Sequence, residues 1–140
     1  MFERILLAVD GSEHSMRAAK EAGDLARAMK SEIVRIVVAF DHIPDYLGEP
    51  NRQQAITARV KQAQEILDKA QGAVGKIPGE LSTELIEGSA AEAIIAVART
   101  RNSTVIVMGS RGLSEIAELV LGSTSHKVVS HAPCPVLIVR

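Results

Sequence analysis

Short apolar runs alternate with longer amphipathic stretches along most of the chain. The apolar runs, rich in Val, Ile and Leu, occupy residues 4–9, 33–40, 81–86, 104–108 and 135–139. Unbroken β-branched runs of this length predict strands that are buried on both faces of a parallel sheet. Residues 81–86 include polar positions, so we expect that strand at a sheet edge.

The amphipathic stretches between these runs predict four main helices. Apolar residues recur at helical spacing in residues 12–30, 53–74, 89–98 and 123–131. Ser89 and Glu92 have capping-box spacing, which predicts a hydrogen bond from the Glu92 N–H to the Ser89 side chain. Five strands alternating with helices predict an α/β fold, a doubly wound, Rossmann-like parallel sheet with right-handed crossovers. We expect residues 1–140 to form one domain.

Polar or glycine-rich residues follow the predicted strands at the positions where each strand ends. The sequence Asp10-Gly11-Ser12 follows the first strand, Asp41 the second, Gly88 the third and Gly109 the fourth. In open α/β sheets, ligands lie beyond the carboxyl ends of the strands, where the direction of winding reverses. We therefore expect these groups to converge on one crevice.

The segment after the fourth strand carries three glycines with the spacing G-x₂-G-x₉-G-S, formed by Gly109, Gly112, Gly122 and Ser123. This spacing is neither the P-loop nor the dinucleotide fingerprint. The first two glycines would let the backbone approach a ligand, and Ser123 and Thr124 open a predicted helix whose N–H groups could receive a phosphate. The alternative is that these are ordinary turn glycines and N-cap residues.

Other candidate residues have more than one interpretation. Asp10 could contact ribose hydroxyls or a divalent cation, or it could simply cap the first helix. Arg111 could screen phosphate charge or be a solvated surface arginine. The apolar residues within 113–121 predict a short helical turn packed as a flap.

The histidines and the single cysteine do not suggest a metal or nucleophilic site. His14, His42, His126 and His131 lack metal-ligand spacing, and we interpret them as surface or capping residues. Cys134 lies between two prolines, and we interpret it as a structural thiol.

Composition narrows the function classes further. Aromatic residues make up only 2% of the chain and the net charge is −1, which gives little support to nucleic-acid binding. No apolar stretch approaches the roughly 20 residues of a membrane span. One cysteine excludes an internal disulfide, so the reducing cytoplasm is the expected location.

The chain resembles the universal stress protein family over essentially its whole length. The resemblance rests on residues 4–12, on residues 87–94, on the complete glycine motif and on the closing segment 131–140.

This resemblance implies an ATP site, with Mg²⁺ or Mn²⁺ as a possible companion, and homodimers that pair through the last strand. The residues it assigns to the nucleotide are Ala8, Val9, Asp10, Val38, Ala39, Met108, Gly109, Arg111, Gly112, Gly122, Ser123 and Thr124. The chain has no lysine of the P-loop kind, so we expect binding without efficient catalysis and assign no catalytic or metal-ligand residue. A slow ATPase or nucleotide hydrolase, and a dimeric interaction module with a vestigial site, remain the alternatives.

Overall fold

The structure, a computed structural model, describes residues 1–112 and 121–140. Its strands are β1 (Arg4–Ala8), β2 (Ile33–Phe40), β3 (Glu80–Glu87), β4 (Val105–Gly109) and β5 (Val136–Val139). Its α-helices are α1 (Glu13–Met29), α2 (Asn51–Val74), α3 (Ala90–Thr100) and α4 (Ser123–His131), and a 3₁₀ turn spans Asp45–Leu47. The flap predicted for residues 113–121 lies almost wholly outside the described residues.

The five strands form one parallel sheet in the order β3-β2-β1-β4-β5. This order confirms the predicted doubly wound α/β class, and it confirms that the partly polar third strand lies at an edge. β5 forms the opposite edge. The direction of winding reverses between β1 and β4, so a crevice opens at the carboxyl ends of these two neighbours.

Side chains from the two sheet faces form two separate cores. Leu7 and Ile36 point towards α1 and α2, where Leu67 is also buried. Leu6 and Ile106 point to the other face, towards α3 and α4. Because the central strands are covered on both sides, they read in sequence as unbroken apolar runs rather than as alternating patterns.

The starts of α1 and α3 differ in how they are capped. The Ser12 side chain accepts a hydrogen bond from the Ser15 N–H at 3.2 Å, which fixes the first turn of α1. Ser89 has the extended backbone of an N-cap residue, but its side chain accepts no capping bond from α3 within the described parts of the chain. The predicted capping box is therefore wrong. The Glu92 carboxylate instead pairs with Lys127 of α4, 3.3 Å away.

A search of the described residues finds no helix with the length and apolar character that crossing a membrane requires.

Candidate functional site

A hollow opens at the carboxyl ends of β1 and β4, where the winding of the sheet reverses. About 520 Å³ of space lies within it when the open solvent at its mouth is included. Its position at the reversal of winding therefore makes this hollow the candidate ligand site.

The lining of the hollow differs between its two sides. One side is lined by apolar residues of β1, β2, β4 and α3 and by the residue that follows β1: Ala8, Val9, Val37, Met108, Ala39, Ala90 and Ile94. The other side is lined by polar residues and glycines from the turn before α1, the first turn of α1, the end of β4 with the loop after it, and the start of α4: Asp10, Ser15, Arg111, Thr124, Ser125, Gly109 and Gly112. The hollow can thus accept a ligand that is apolar at one end and polar at the other.

Asp10 supports the turn that leads into α1. Its Oδ1 accepts the Ser12 N–H at 2.9 Å, and its own N–H donates to the Ser15 hydroxyl at 3.3 Å. Ser12, and not Asp10, is the N-cap residue of α1. The alternative in which Asp10 caps the first helix is therefore wrong in that form, and Asp10 lies in the wall of the hollow.

Gly109 allows the end of β4 to pack closely against the first turn of α1. A Cβ atom on Gly109 would lie 2.8 Å from the His14 Cβ, 2.9 Å from the His14 carbonyl carbon and 3.0 Å from the Ser15 nitrogen. All three atoms belong to, or are attached directly to, the backbone of α1. The absent side chain is therefore explained by helix packing, although Gly109 also lines the hollow.

Two hydrogen bonds to backbone carbonyls bring the ends of the glycine loop together. The Gly122 N–H donates to the Ser110 carbonyl at 2.7 Å, and the Ser125 hydroxyl donates to the Gly109 carbonyl at 2.8 Å. The start of α4 is thereby joined to the end of β4. Thr124 and Ser125, in the first turn of α4, reach the wall of the hollow.

Helix α4 begins without a side-chain cap from its N-cap residue, because that residue is Gly122. The first N–H groups of any α-helix have no acceptor within the helix, and the helix dipole gives this end a partial positive charge. In α1, by contrast, the Ser12 side chain accepts a hydrogen bond from the Ser15 N–H. The start of α4 is therefore the better suited of the two to receive an anion.

Arg111 and His14 meet at the polar side of the hollow. The Arg111 Nη2 lies 2.8 Å from the His14 Nε2, and the His14 side chain is half-buried. Burial lowers the pKa of His14, and the charges of Arg111 and Arg17 lower the pKa further, against smaller opposing effects of Glu13 and Asp10. The contact shows that His14 is more than a solvated surface residue.

Nine of the twelve residues predicted for the site line the hollow: Ala8, Val9, Asp10, Ala39, Met108, Gly109, Arg111, Gly112 and Thr124. The other three do not. Val38 is buried in the core on the α1 and α2 face, because alternate residues of a strand point to opposite faces. Gly122 is the buried N-cap residue of α4, and the Ser123 side chain is exposed.

Sequence reasoning missed five lining residues: Ser15, Val37, Ala90, Ile94 and Ser125. Two signals were present. Ala90 and Ile94 are four apart at the start of α3, so they share a helix face. Val37 is separated from Ala39 by one residue, so the two share a strand face.

The remaining candidate chemistry lies elsewhere or does not form a site. Across residues 1–112 and 121–140, no three His, Cys, Asp or Glu side chains are grouped so that they could hold a metal ion. His42 pairs with Glu87 at 2.7 Å on the surface. Cys134 is half-buried, and burial raises the pKa of its thiol, as expected for a structural rather than a nucleophilic cysteine.

Comparison with known proteins adds relatives that match along the whole chain. A universal stress protein of Thermus aquaticus, encoded in a QAH/OAS sulfhydrylase 3′ region, is 44% identical over 140 residues, with 100% of both chains covered. The universal stress protein UspA of Lactobacillus plantarum superposes with a TM-score of 0.87 at 26% identity, covering 99% of this chain and 98% of its own.

Two further similar structures were solved with nucleotides. A universal stress protein in complex with cAMP has a TM-score of 0.70 at 25% identity, with 99% of this chain and 97% of that chain covered. A universal stress protein of Archaeoglobus fulgidus in complex with dAMP has a TM-score of 0.61 at 19% identity, with both chains fully covered. The family model described as universal stress protein family matches residues 1–140. Taken with the fold and the intact glycine motif, these matches show that the chain belongs to the universal stress protein family.

Proposed function

We propose that this protein binds an adenine nucleotide, ATP in particular, in the hollow at the ends of β1 and β4. The observation that carries the proposal is the two-sided lining. Its apolar wall, which includes Val37, Ile94 and Met108, suits the adenine ring, and its polar side suits ribose and phosphates. A similar protein solved with cAMP supports an adenine nucleotide as the ligand class.

In this proposal the phosphates of the nucleotide lie at the side of the hollow that is formed by α4 and the glycine loop. The N-terminus of α4 offers N–H groups and a positive dipole end, and the Arg111 guanidinium adds a full positive charge. Asp10, on the turn after β1, suits the ribose hydroxyls. A divalent cation that accompanies ATP would be held mainly by the phosphates, with Asp10 as the nearby carboxylate.

We propose that the bound nucleotide serves regulation in a stress response and is not turned over efficiently. The glycine motif has no P-loop lysine, and no positioned base for the attacking water was recognised in the sequence. We further propose that the protein works in the cytoplasm, in line with its single half-buried cysteine.

Calorimetry with a matched pair of alanine substitutions tests the binding site. Ala90 lines the hollow at the start of α3, whereas Ala96 is exposed on the same helix. Ala90→Leu fills the apolar end without changing charge, so we expect Mg-ATP affinity to fall at least about tenfold, or about 1.4 kcal/mol. Ala96→Leu should bind like the wild type.

The outcomes separate the alternatives. Absence of binding at millimolar ATP, AMP and cAMP would refute the proposal and leave the dimeric interaction module. An equal loss of Mg-ATP affinity in Ala90→Leu and Ala96→Leu would show that the binding site lies elsewhere. Steady phosphate release by the wild type that disappears in Asp10→Ala would instead favour the slow ATPase.

We also propose that two copies pair through β5. This strand forms one edge of the sheet, and its residue Leu137 leaves 40% of its surface exposed. An apolar edge strand tends to pair with another strand, and one charged residue on it discourages pairing. Light scattering should therefore give a dimer for the wild type and a monomer for Leu137→Lys, and a monomeric wild type would contradict the proposal.

A further inference from the structure

The contact between Arg111 and His14 determines the protonation of the imidazole ring. Arginine has donors but no acceptor and does not lose its proton in proteins, so the Arg111 N–H must donate to the His14 Nε2 across 2.8 Å. The Nε2 atom can accept only when it carries no proton. The ring is therefore neutral, with its proton on Nδ1.

His14 reaches Arg111 because the first turn of α1 lies directly against the end of β4. The two residues are 97 positions apart in the chain. The close packing at Gly109, where a Cβ would approach the His14 Cβ to 2.8 Å, brings the helix to this distance. The imidazole thus stands beside the glycine loop that carries Arg111.

The charged groups around His14 favour the neutral ring. The groups that face it, among the residues that the structure describes, are Arg111 from the glycine loop, Asp10 from the turn before α1, and Glu13 and Arg17 from α1 itself. Burial and the two guanidinium groups lower the pKa of His14 more than the two carboxylates raise it. At neutral pH the ring therefore remains an acceptor for Arg111.

We infer that His14 is a positioning residue, whose neutral ring holds the Arg111 guanidinium at the polar side of the hollow for contact with nucleotide phosphates. The inference rests on the proposed nucleotide site. Arg111 lines the hollow, whereas His14 is not part of its lining and acts through Arg111. Its contribution therefore concerns ligands with phosphates, and not the nucleoside alone.

Calorimetry at pH 7.5 with ATP and with adenosine tests the inference. His14→Ala should weaken ATP binding by about tenfold or more, the size expected for losing one hydrogen bond to a charged group, and leave adenosine binding unchanged. His14→Gln should restore ATP binding, because the amide oxygen can accept from Arg111 without titrating. The control His131→Ala removes an exposed histidine at the far end of α4 and should bind both ligands like the wild type.

A pH series distinguishes positioning from direct binding by a charged imidazole. The terminal phosphate of ATP itself titrates near pH 6, at about the second pKa of a phosphate ester, so each value is compared with His14→Gln at the same pH. Protonation removes the acceptor, so the affinity of the wild type relative to His14→Gln should fall as the pH drops below the ordinary imidazole value of 6.5. A relative affinity that rises would show that protonated His14 binds phosphate directly, which overturns the inference.

Proton NMR of the ligand-free protein gives a readout that is independent of binding. Replacing Arg111 by Met should raise the pKa of His14, because one lowering charge is lost. An unchanged titration would show that the two side chains are not coupled and would refute the inference.

The results also separate the inference from the proposed function. If the wild type binds no adenine nucleotide, both the proposed function and the inference about His14 are refuted. A wild type that binds ATP while His14→Ala binds it equally well removes only the inference. Weakened binding in His14→Ala without recovery in His14→Gln would assign His14 a merely structural role, which also overturns it.

Discussion

Replacing Gly109 by alanine should destabilise the protein even when no nucleotide is present. The new Cβ would lie 2.8 Å and 2.9 Å from the Cβ and carbonyl carbon of His14, and 3.0 Å from the Ser15 nitrogen. These atoms cannot move without moving the first turn of α1. Unlike the end of a flexible side chain, they cannot rotate away from the added methyl group.

The size of the effect follows from two opposing contributions. Overpacking a well-packed site costs about 1–3 kcal/mol, and here we expect the upper end because backbone must shift. Alanine reduces the conformational entropy of the unfolded chain, which offsets about 0.4–1 kcal/mol. The free energy of unfolding should therefore fall by about 2 kcal/mol, which for a chain of this length lowers Tm by roughly 6 °C.

Urea denaturation followed by circular dichroism, without nucleotide, measures this change directly. Gly72→Ala is the matched control, since Gly72 lies within α2 and a Cβ there would meet no atom within 4 Å. That control should gain about 0.5–1 kcal/mol, because glycine is a poor helix former. Unchanged or increased stability of Gly109→Ala, with nucleotide binding lost, would show that the glycine serves ligand approach alone.

Three further substitutions test the packing and electrostatics around the site. Ser12→Ala removes the hydroxyl that accepts the Ser15 N–H, so the free energy of unfolding, measured by thermal denaturation, should fall by about 1 kcal/mol. An unchanged Tm would show that this cap does not stabilise α1. Leu67→Ala truncates a side chain that is only 2% exposed, so the free energy of unfolding, measured by urea denaturation, should fall by about 2–5 kcal/mol. A smaller decrease would mean that α2 packs loosely on the sheet. Because the pKa of His14 is lowered in the folded state from its ordinary value of 6.5, the unfolded chain binds more protons below that value. Unfolding free energy should therefore fall as the pH drops below about 6.5, and should fall less in His14→Gln; identical pH profiles would contradict the lowered pKa.

The glycine motif could be located from sequence, but the reason for its first glycine could not. The spacing of Gly109, Gly112 and Gly122 predicted a loop between a strand and a helix at the edge where ligands bind. The structure adds that Gly109 admits the first turn of α1. The need for glycine at position 109 comes from contact with His14 and Ser15, which are distant in sequence, so no local sequence pattern could indicate it.

The capping box failed for a similar reason. Ser89 occupies the predicted N-cap position, yet the Glu92 carboxylate forms an ion pair with Lys127 on the neighbouring helix α4. The local motif offered one partner for the carboxylate, and tertiary packing supplied another.

The sequence alone determined the order of the elements along the chain and the end of the strands at which the candidate site lies. Periodicity and β-branched runs reflect whether one or both faces of an element are buried, so they located the strands and predicted α4 within residues 123–131, its observed bounds. Only the tertiary structure decided which side chains meet. It placed Val37 rather than Val38 in the wall of the hollow, and it brought His14 against Arg111. Such contacts depend on distances of a few ångströms between elements far apart in the chain, and these are set by the packing of helices on the sheet.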